Sequence, residues 1–339
     1  MADNDIRTIR LARAPGLDNL AVIRAPAPAA GPGEVVVAVR ASSLNFHDYL
    51  VVAGHIPVAE GRVPMSDGAG EIVALGDGVT GWSVGDKVMG AFFTHWIDGP
   101  PTPTNNRAIA GETADGFAAD MVAVPAASLV RMPAGWSFAE AATLPCAGLT
   151  AWRFLTVEGQ VRAGDAVLLP GSGGLCLFAL QIAKALGLTV WSTSSTDAKL
   201  DRLCALGADH VVNYRDHADW GERVRQQTGG EGVDLVLEIG GQSSFAQSVC
   251  ACRMGGRVVA VGTTANGAPE LPLRDVIMRH IHITGMAVGS VAHLRELVAF
   301  VEQHGLRPVI DRDFPLERLA DAFRYLLEGR HFGKITITY

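Results

Sequence analysis

The stretch DAVLLPGSGGLCLFALQIAKALG, residues 165–187, constrains the fold of this chain more than any other. An apolar run ends at Pro170, and a glycine-rich turn follows at Gly171, Ser172, Gly173, Gly174 and Leu175. An amphipathic helix pattern then runs to Gly187. Strand, glycine turn and helix in that order form a dinucleotide turn. Gly171 makes the tight turn, and Gly173 and Gly174 let the backbone approach a pyrophosphate, whose charge the N–H groups of the helix N-terminus stabilise. The motif departs from G-x-G-x-x-G at its sixth position, where Cys176 replaces a glycine. A plain tight turn is the competing reading. A second glycine cluster, MSDGAGEIVALGDGV (65–79), has no helix after Gly70, because EIVALG reads as a strand. Its glycines serve turns and close packing instead.

From residue 165 onward, strand patterns alternate with helix patterns, through LTVWSTS, TDAKLDRLCALG, ADHVVNY, VDLVLEIGG, GGRVVAVGT and HIHITGMAVG. This order predicts a parallel, doubly wound sheet. An acidic residue at the end of the second strand would bind the ribose diol of NAD. Here that end reads WSTSSTDAK: Ser194 and Ser195 stand there, Lys199 lies one helical turn on, and Tyr214 follows the third strand. Hydroxyls with a cation suit a 2′-phosphate. The expected cofactor is NADPH, with NADH as the alternative. In that alternative Lys199 is a solvated surface lysine and Asp197 reaches the diol.

Residues 1–130 read differently. Short β-branched runs bounded by glycine, such as GEVVVAVRASSL (33–44) and GDKVMGAFF (85–93), predict a compact barrel-like β domain. Residues 94–116 are polar and rich in Pro, Gly and Asn, which predicts a long loop. The texture changes near residue 137. That change places a domain boundary there. The tail reads as helix, loop, helix and last strand. A net charge of −7 without a basic block argues against nucleic acid and anionic membrane as partners. No apolar leader pattern opens the sequence, and no run of about 20 apolar residues occurs in it. The five scattered cysteines, Cys146, Cys176, Cys204, Cys250 and Cys252, fit a reducing cytoplasm.

The segments GEVVVAVRASSLNFHD, SDGAGEIVALGDGVTGWSVGDKVMG, LPCAGLTAW, GSGGLCLFALQIAKALG and LGADHVVNY, in that order, resemble the medium-chain dehydrogenases/reductases. The resemblance covers essentially the whole chain. It implies an α/β protein with an N-terminal GroES-like β-barrel catalytic domain, 1–135, completed by the C-terminal segment, 291–339. A Rossmann domain, 136–290, is inserted, and the active site lies in the cleft between the two. Zinc-dependent members place a cysteine where Asn45 stands, a His-Glu pair where Ser66 and Asp67 stand, and a third ligand at Cys146. Only the last is retained, and the four-cysteine lobe of relatives is replaced by the 94–116 loop. Zinc needs three N, S or carboxylate ligands, so a zinc-independent protein is expected.

On the same resemblance, Asn45 would orient or polarise a substrate oxygen, against a turn-stabilising amide as the competing reading. His47 falls where alcohol dehydrogenases carry a proton-relaying hydroxyl and would exchange a proton, against an exposed or packed histidine as the competing reading, and Tyr49 is a further donor. Asp48 is expected in a buried ion pair with an arginine. Phe92 matches a pocket-lining position, and Phe93, His95 and Trp96 extend that wall, with simple core as the competing reading. Cys146 and Thr150 would lie beneath the nicotinamide, and Gly262, Thr263, Val288 and Gly289 would contact its half of the cofactor. Arg330 or Lys334 would reach the cofactor phosphates, or be a surface charge. The implied activity is hydride transfer from NADPH to an activated C=C, as in a quinone or enone, or to a carbonyl of a small molecule. An alcohol dehydrogenase and an NADPH-binding sensor without turnover are the alternatives. Relatives commonly dimerise through the nucleotide-domain sheet, and HIHITGMAV (280–288) suits that edge, so a homodimer is expected.

Overall fold

The computed structural model describes residues 5–262 and 270–339. Strands β1 (Asp5–Ile9) and β2 (Val22–Pro26) form an antiparallel ribbon. The long strand β3 (Glu34–Ser43) leads into helix α1 (Phe46–Val52). Strands β4 (Ala69–Leu75), β5 (Lys87–Gly90), β6 (Met121–Pro125) and β7 (Leu129–Arg131) follow, then helix α2 (Phe138–Ala141), a wide helical turn at Leu144–Gly148 and helix α3 (Leu149–Arg153). Alternation begins with β8 (Ala166–Pro170), α4 (Gly174–Ala185), β9 (Thr189–Ser194), α5 (Asp197–Ala205) and β10 (His210–Asn213). It continues through α6 (Trp220–Gln227), β11 (Val233–Glu238), α7 (Phe245–Ala251), β12 (Cys252–Ala260), α8 (Leu273–Met278) and β13 (His282–Gly285). The last elements are α9 (Val291–His304), β14 (Ile310–Pro315), α10 (Leu319–Leu327) and β15 (Lys334–Thr338).

The chain divides into two units, one reaching Leu149 and resuming at Gly289, the other spanning Thr150–Val288. In the first, the strands run β14-β15-β3-β4-β5-β7, with β6 paired to β3. All these pairs are antiparallel except β14 with β15. Val35, Val37 and Val39 of β3 enter a core with Ile72, Phe117, Leu129, Ile335 and Ile337. The period-2 alternation of β3 sends these valines to one face. Residues 136–149, which the sequence texture groups with the second unit, belong to the first, where α2 packs on β3, β4 and β15. The tail region read as a loop contains β14, which the charged sequence IDRDFP disguises. The 94–116 segment is likewise tied down, with a bridge from Phe93 to Ile109 and a tight turn at 109–114.

In the second unit six parallel strands run β10-β9-β8-β11-β12-β13. The order reverses between β8 and β11, which puts the glycine turn that follows β8 at the switch point of a doubly wound sheet. Leu168, Trp191, Val236 and Val258 pack under α6 and α7 through Val224 and Val249.

The cluster at 65–79 is packing, with one real turn. A Cβ on Gly68 or Gly90 would lie 2.2 Å from the Phe117 ring, and one on Gly70 would lie 2.1 Å from the Ala38 carbonyl oxygen. Met65, buried at the head of this stretch, holds a left-handed φ of 77°. Its backbone is pinned by Gly111 and Gly116, where a Cβ would fall 2.9 Å and 2.2 Å from Met65 atoms.

Candidate active site

Gly171 adopts φ 117°, closed to other residues without strain, and its N–H donates to Thr193 O at 2.8 Å. The turn therefore hangs on the end of β9. Ser194 at that end is buried, and its hydroxyl donates to Ser172 in the turn at 3.4 Å. Gly173 is the N-cap of α4 and makes no side-chain cap bond. Helix N–H groups facing a turn without a side chain fit a dinucleotide pyrophosphate. Cys176 donates to Pro170 O at 3.3 Å, so the sulfur ties helix to strand where a glycine would allow closer packing. Burial pushes its thiol up to about 12.

Around the expected 2′-phosphate end, Ser195 is half-buried, Lys199 lies in α5, and Tyr214 is exposed with its N–H bonded to Ser194 O. Asp197 is exposed and accepts from Asn213 Nδ2 at 3.0 Å. Gly262 is exposed, after β12. Thr263 lies outside the described residues. Val288 is buried with φ 40°, and the buried Arg153 guanidinium donates to Ala287 O and Val288 O while pairing with Glu158 at 2.6 Å. Gly289, in the other unit, would meet Leu149 at 3.0 Å if it carried a Cβ. Two buried groups here have no sequence signal: Arg153, and Glu238 at the end of β11. Glu238 accepts from the Gly240 and Gly241 N–H groups and from the Ser244 and Ser248 hydroxyls, fixing the loop after its strand.

The first unit holds a buried polar cluster. Asn45, N-cap of α1, donates through Nδ2 to Asp67 Oδ2 at 2.9 Å and to Ser66 Oγ at 3.3 Å. Its Oδ1 accepts from Lys334 Nζ at 2.7 Å, and Lys334 also donates to Leu44 O at 2.6 Å. Lys334 Nζ lies 3.7 Å from Asp67 Oδ2. Lys334 is 4 % exposed and Asp67 fully buried. Two expectations are thereby corrected. Lys334 is neither a phosphate contact nor a surface charge, because β15 carries it under the Leu44–Asn45 turn. The Asn45 amide has both N–H groups engaged within the protein and none left for a substrate oxygen. Burial raises the Asp67 carboxyl to about 6 and the Asp48 charge adds to that, while Lys334, Asn45 and Ser43 pull the other way. Asp67 Oδ1 is buried without a hydrogen-bond partner.

Asp48 is also corrected. It pairs with no arginine but accepts from the backbone N–H of Asn45 at 3.0 Å and of Ser66 at 2.8 Å. His47 Nε2 lies 2.8 Å from Glu112 Oε2, and Nδ1 lies 3.8 Å from Asp48 Oδ1. Burial works against a charge on His47, but the nearby Asp48 charge and the hydrogen bond and charge of Glu112 outweigh it, and the ring titrates above its ordinary value. Sequence reading missed Glu112, which is 65 residues away. An aromatic row runs from half-buried His47 through the buried Phe92 (5.0 Å), Phe93 (4.9 Å) and Trp96 (5.7 Å) to half-buried His293 (6.1 Å). His95 is exposed. Tyr49 is half-buried against Phe46 and His55. Burial, with the Asp67 charge, pushes the Cys146 thiol well up, which makes it a poor nucleophile. Thr150 is buried in α3. Arg330 is exposed and pairs with Glu328.

Residues 31–134 match the family model for the alcohol dehydrogenase GroES-like domain, and residues 174–303 match that for the zinc-binding dehydrogenase. A zinc-type alcohol dehydrogenase-like protein of Schizosaccharomyces pombe is 38% identical over 90% of this chain and 91% of its own length. The chain belongs to the medium-chain dehydrogenase/reductase superfamily. The crystal structure of an NAD-dependent alcohol dehydrogenase superposes with a TM-score of 0.90 at 34% identity, over 98% of this chain and 99% of that one. An acryloyl-coenzyme A reductase of Metallosphaera sedula is 29% identical over 93% of this chain and 95% of its own.

As a medium-chain dehydrogenase/reductase the chain is an NAD(P)H-dependent oxidoreductase with a GroES-like and a Rossmann domain. Among the described residues, no group of three or more His, Cys, Asp or Glu is placed to hold a metal ion. No described helix is long and apolar enough to cross a membrane.

Proposed function

We propose that this medium-chain reductase uses NADPH without a metal ion to reduce a polarised double bond of a small molecule. The C=C of an enone, quinone or unsaturated thioester is the first assignment and a carbonyl the second. The observation that carries the reading is the Lys334 ammonium, bonded to Asn45 and 3.7 Å from Asp67. A zinc ion there would meet a resident positive charge, and Asn45 and Ser66 are poor ligands for it. Bound NADPH supplies the hydride. The Gly171–Leu175 turn binds its pyrophosphate, and Ser194, Ser195, Lys199 and Tyr214 its 2′-phosphate. His47 carries the mobile proton at Nε2, in the hydrogen bond to Glu112 at 2.8 Å, and that bond gives way when the product takes the proton. When the reduced product takes it, the N–H bond breaks, the electron pair stays on the ring, and a bond to hydrogen forms on product oxygen or carbon. Asn45 holds the cluster together. The acryloyl-coenzyme A reductase among the relatives favours C=C reduction, and the alcohol dehydrogenases favour the second assignment.

Purified protein assayed with NADPH and NADH against quinones, enones, an acryloyl thioester and aldehydes tests this, with and without a zinc chelator. Turnover is expected with NADPH and an unsaturated acceptor, unchanged by chelation. Activity lost to the chelator and restored by zinc would overturn the metal-free reading, and turnover restricted to aldehydes would select the carbonyl reading.

A homodimer and a cytoplasmic setting belong to the same proposal. Strand β13 is an edge, and Ile283 on it, with Leu273, Ile277 and Met278 of α8, leaves large apolar side chains exposed. Ile283→Glu is expected to convert a dimer to monomer in light scattering; a monomeric parent would overturn the assignment. The five cysteines are free thiols, consistent with a reducing compartment.

A further inference from the structure

We propose that Glu112 is the positioning residue of the proton donor, holding His47 in place and in its charged form. This rests on the reading of His47 as proton source. Asp48, the other carboxylate facing the ring, is already spent on the backbone N–H groups of Asn45 and Ser66. At 3.8 Å from Nδ1 it lends charge to the ring but no hydrogen bond. Glu112 makes that bond, at 2.8 Å to Nε2. Asp48 from the ring's own helix and Glu112 from the 94–116 segment are the charged groups that face it, and the Phe92 edge closes another side. A neutral ring would turn a lone pair toward one of the two carboxylates, whereas the doubly protonated ring offers each of them an N–H.

Glu112 is held to do this. Its turn is closed by the N–H groups of Glu112, Thr113 and Ala114 on Ile109 O, and by Thr113 Oγ1 bonding to Ile109 N–H and Arg107 O. The flanking Gly111 and Gly116 lie against the Met65 backbone. The turn thus packs on the residue that precedes Ser66, so its backbone position is fixed by the same stretch that carries the polar cluster. Both side chains keep partial access to solvent, 21% for His47 and 18% for Glu112. Solvent can therefore return a proton to the pair after each turnover.

Glu112→Gln keeps the size and the hydrogen-bonding capacity of the side chain and removes its charge. The test is an NMR titration of the His47 ring in both proteins, assigned with His47→Gln, alongside pH profiles of kcat/KM. The His47 midpoint is expected to fall by about one pH unit in Glu112→Gln. The basic limb of the profile should follow it down, with KM for NADPH unchanged. An unmoved midpoint overturns the proposal. A midpoint that falls while the profile stays put supports the pairing and overturns His47 as proton source, so the two failures are told apart.

Discussion

Lys334→Met should lower the folding free energy by about 3 kcal/mol, the cost of removing one partner from a buried charge pair. The loss has three parts in the structure: Leu44 O and Asn45 Oδ1 lose their donor, and Asp67 keeps a buried carboxylate with no cation beside it. Its pH dependence distinguishes these parts. The folded state raises Asp67 from 3.8 to about 6, so it binds this proton more tightly than the unfolded chain does. Asp67 therefore makes the fold less stable as pH rises through that window. Without Lys334 the carboxyl shifts further up and the window widens. Urea denaturation should show a larger penalty at pH 8 than at pH 5. Lys334→Met/Asp67→Asn should recover much of the loss at pH 8. A penalty equal at both pH values and no recovery in the double variant would show that the charge pair is not what the lysine supports.

Phe117→Ala should cost about 3–5 kcal/mol, the usual loss for truncating a buried aromatic side chain. Its ring occupies space that two strands leave open by carrying glycine, Gly68 beside β4 and Gly90 in β5. Gly90→Ala alone drives a methyl into that ring and should also destabilise, by about 1–3 kcal/mol. Together the two changes should cost less than their sum, because the new methyl enters the cavity that the ring vacates. Denaturation of the four proteins of the cycle measures the coupling. Additive losses would mean that the glycine is required by its backbone and not by the ring.

What could be read from the sequence was local. The turn at Gly171–Gly174 lies between a strand and a helix contiguous with it, so pattern and spacing were enough. Asn45 was legible as a position of interest but not as a saturated one, because its partner Lys334 is 289 residues away. Lys334 opens a strand whose alternation sends Ile335 and Ile337 to the core, which leaves Lys334 and Thr336 on the face expected to meet solvent. That face is covered by the Leu44–Asn45 turn and the Asp67 loop, which no period in KITIT reveals. Glu112 was hidden for a related reason: a charged residue in a Pro- and Asn-rich segment reads as solvated until the turn that aims it is known. Asp48 misled differently. A buried carboxylate invites an arginine, yet two backbone N–H groups satisfied it.

The first unit is discontinuous, built from the chain up to Leu149 and the chain from Gly289 onward. Its buried charges straddle that break, with Asp67 before it and Lys334 after it. Recombination between this protein and a relative without this pair is therefore not free to cross over anywhere. Exchanging Thr150–Val288 as a block keeps the acid and its cation in one parent. A single crossover within that block marries one parent's Asn45 and Asp67 to the other's C-terminal segment, and an inherited carboxylate is stranded without its cation. Gene shuffling in this lineage should return double-crossover survivors far more often than single-crossover ones.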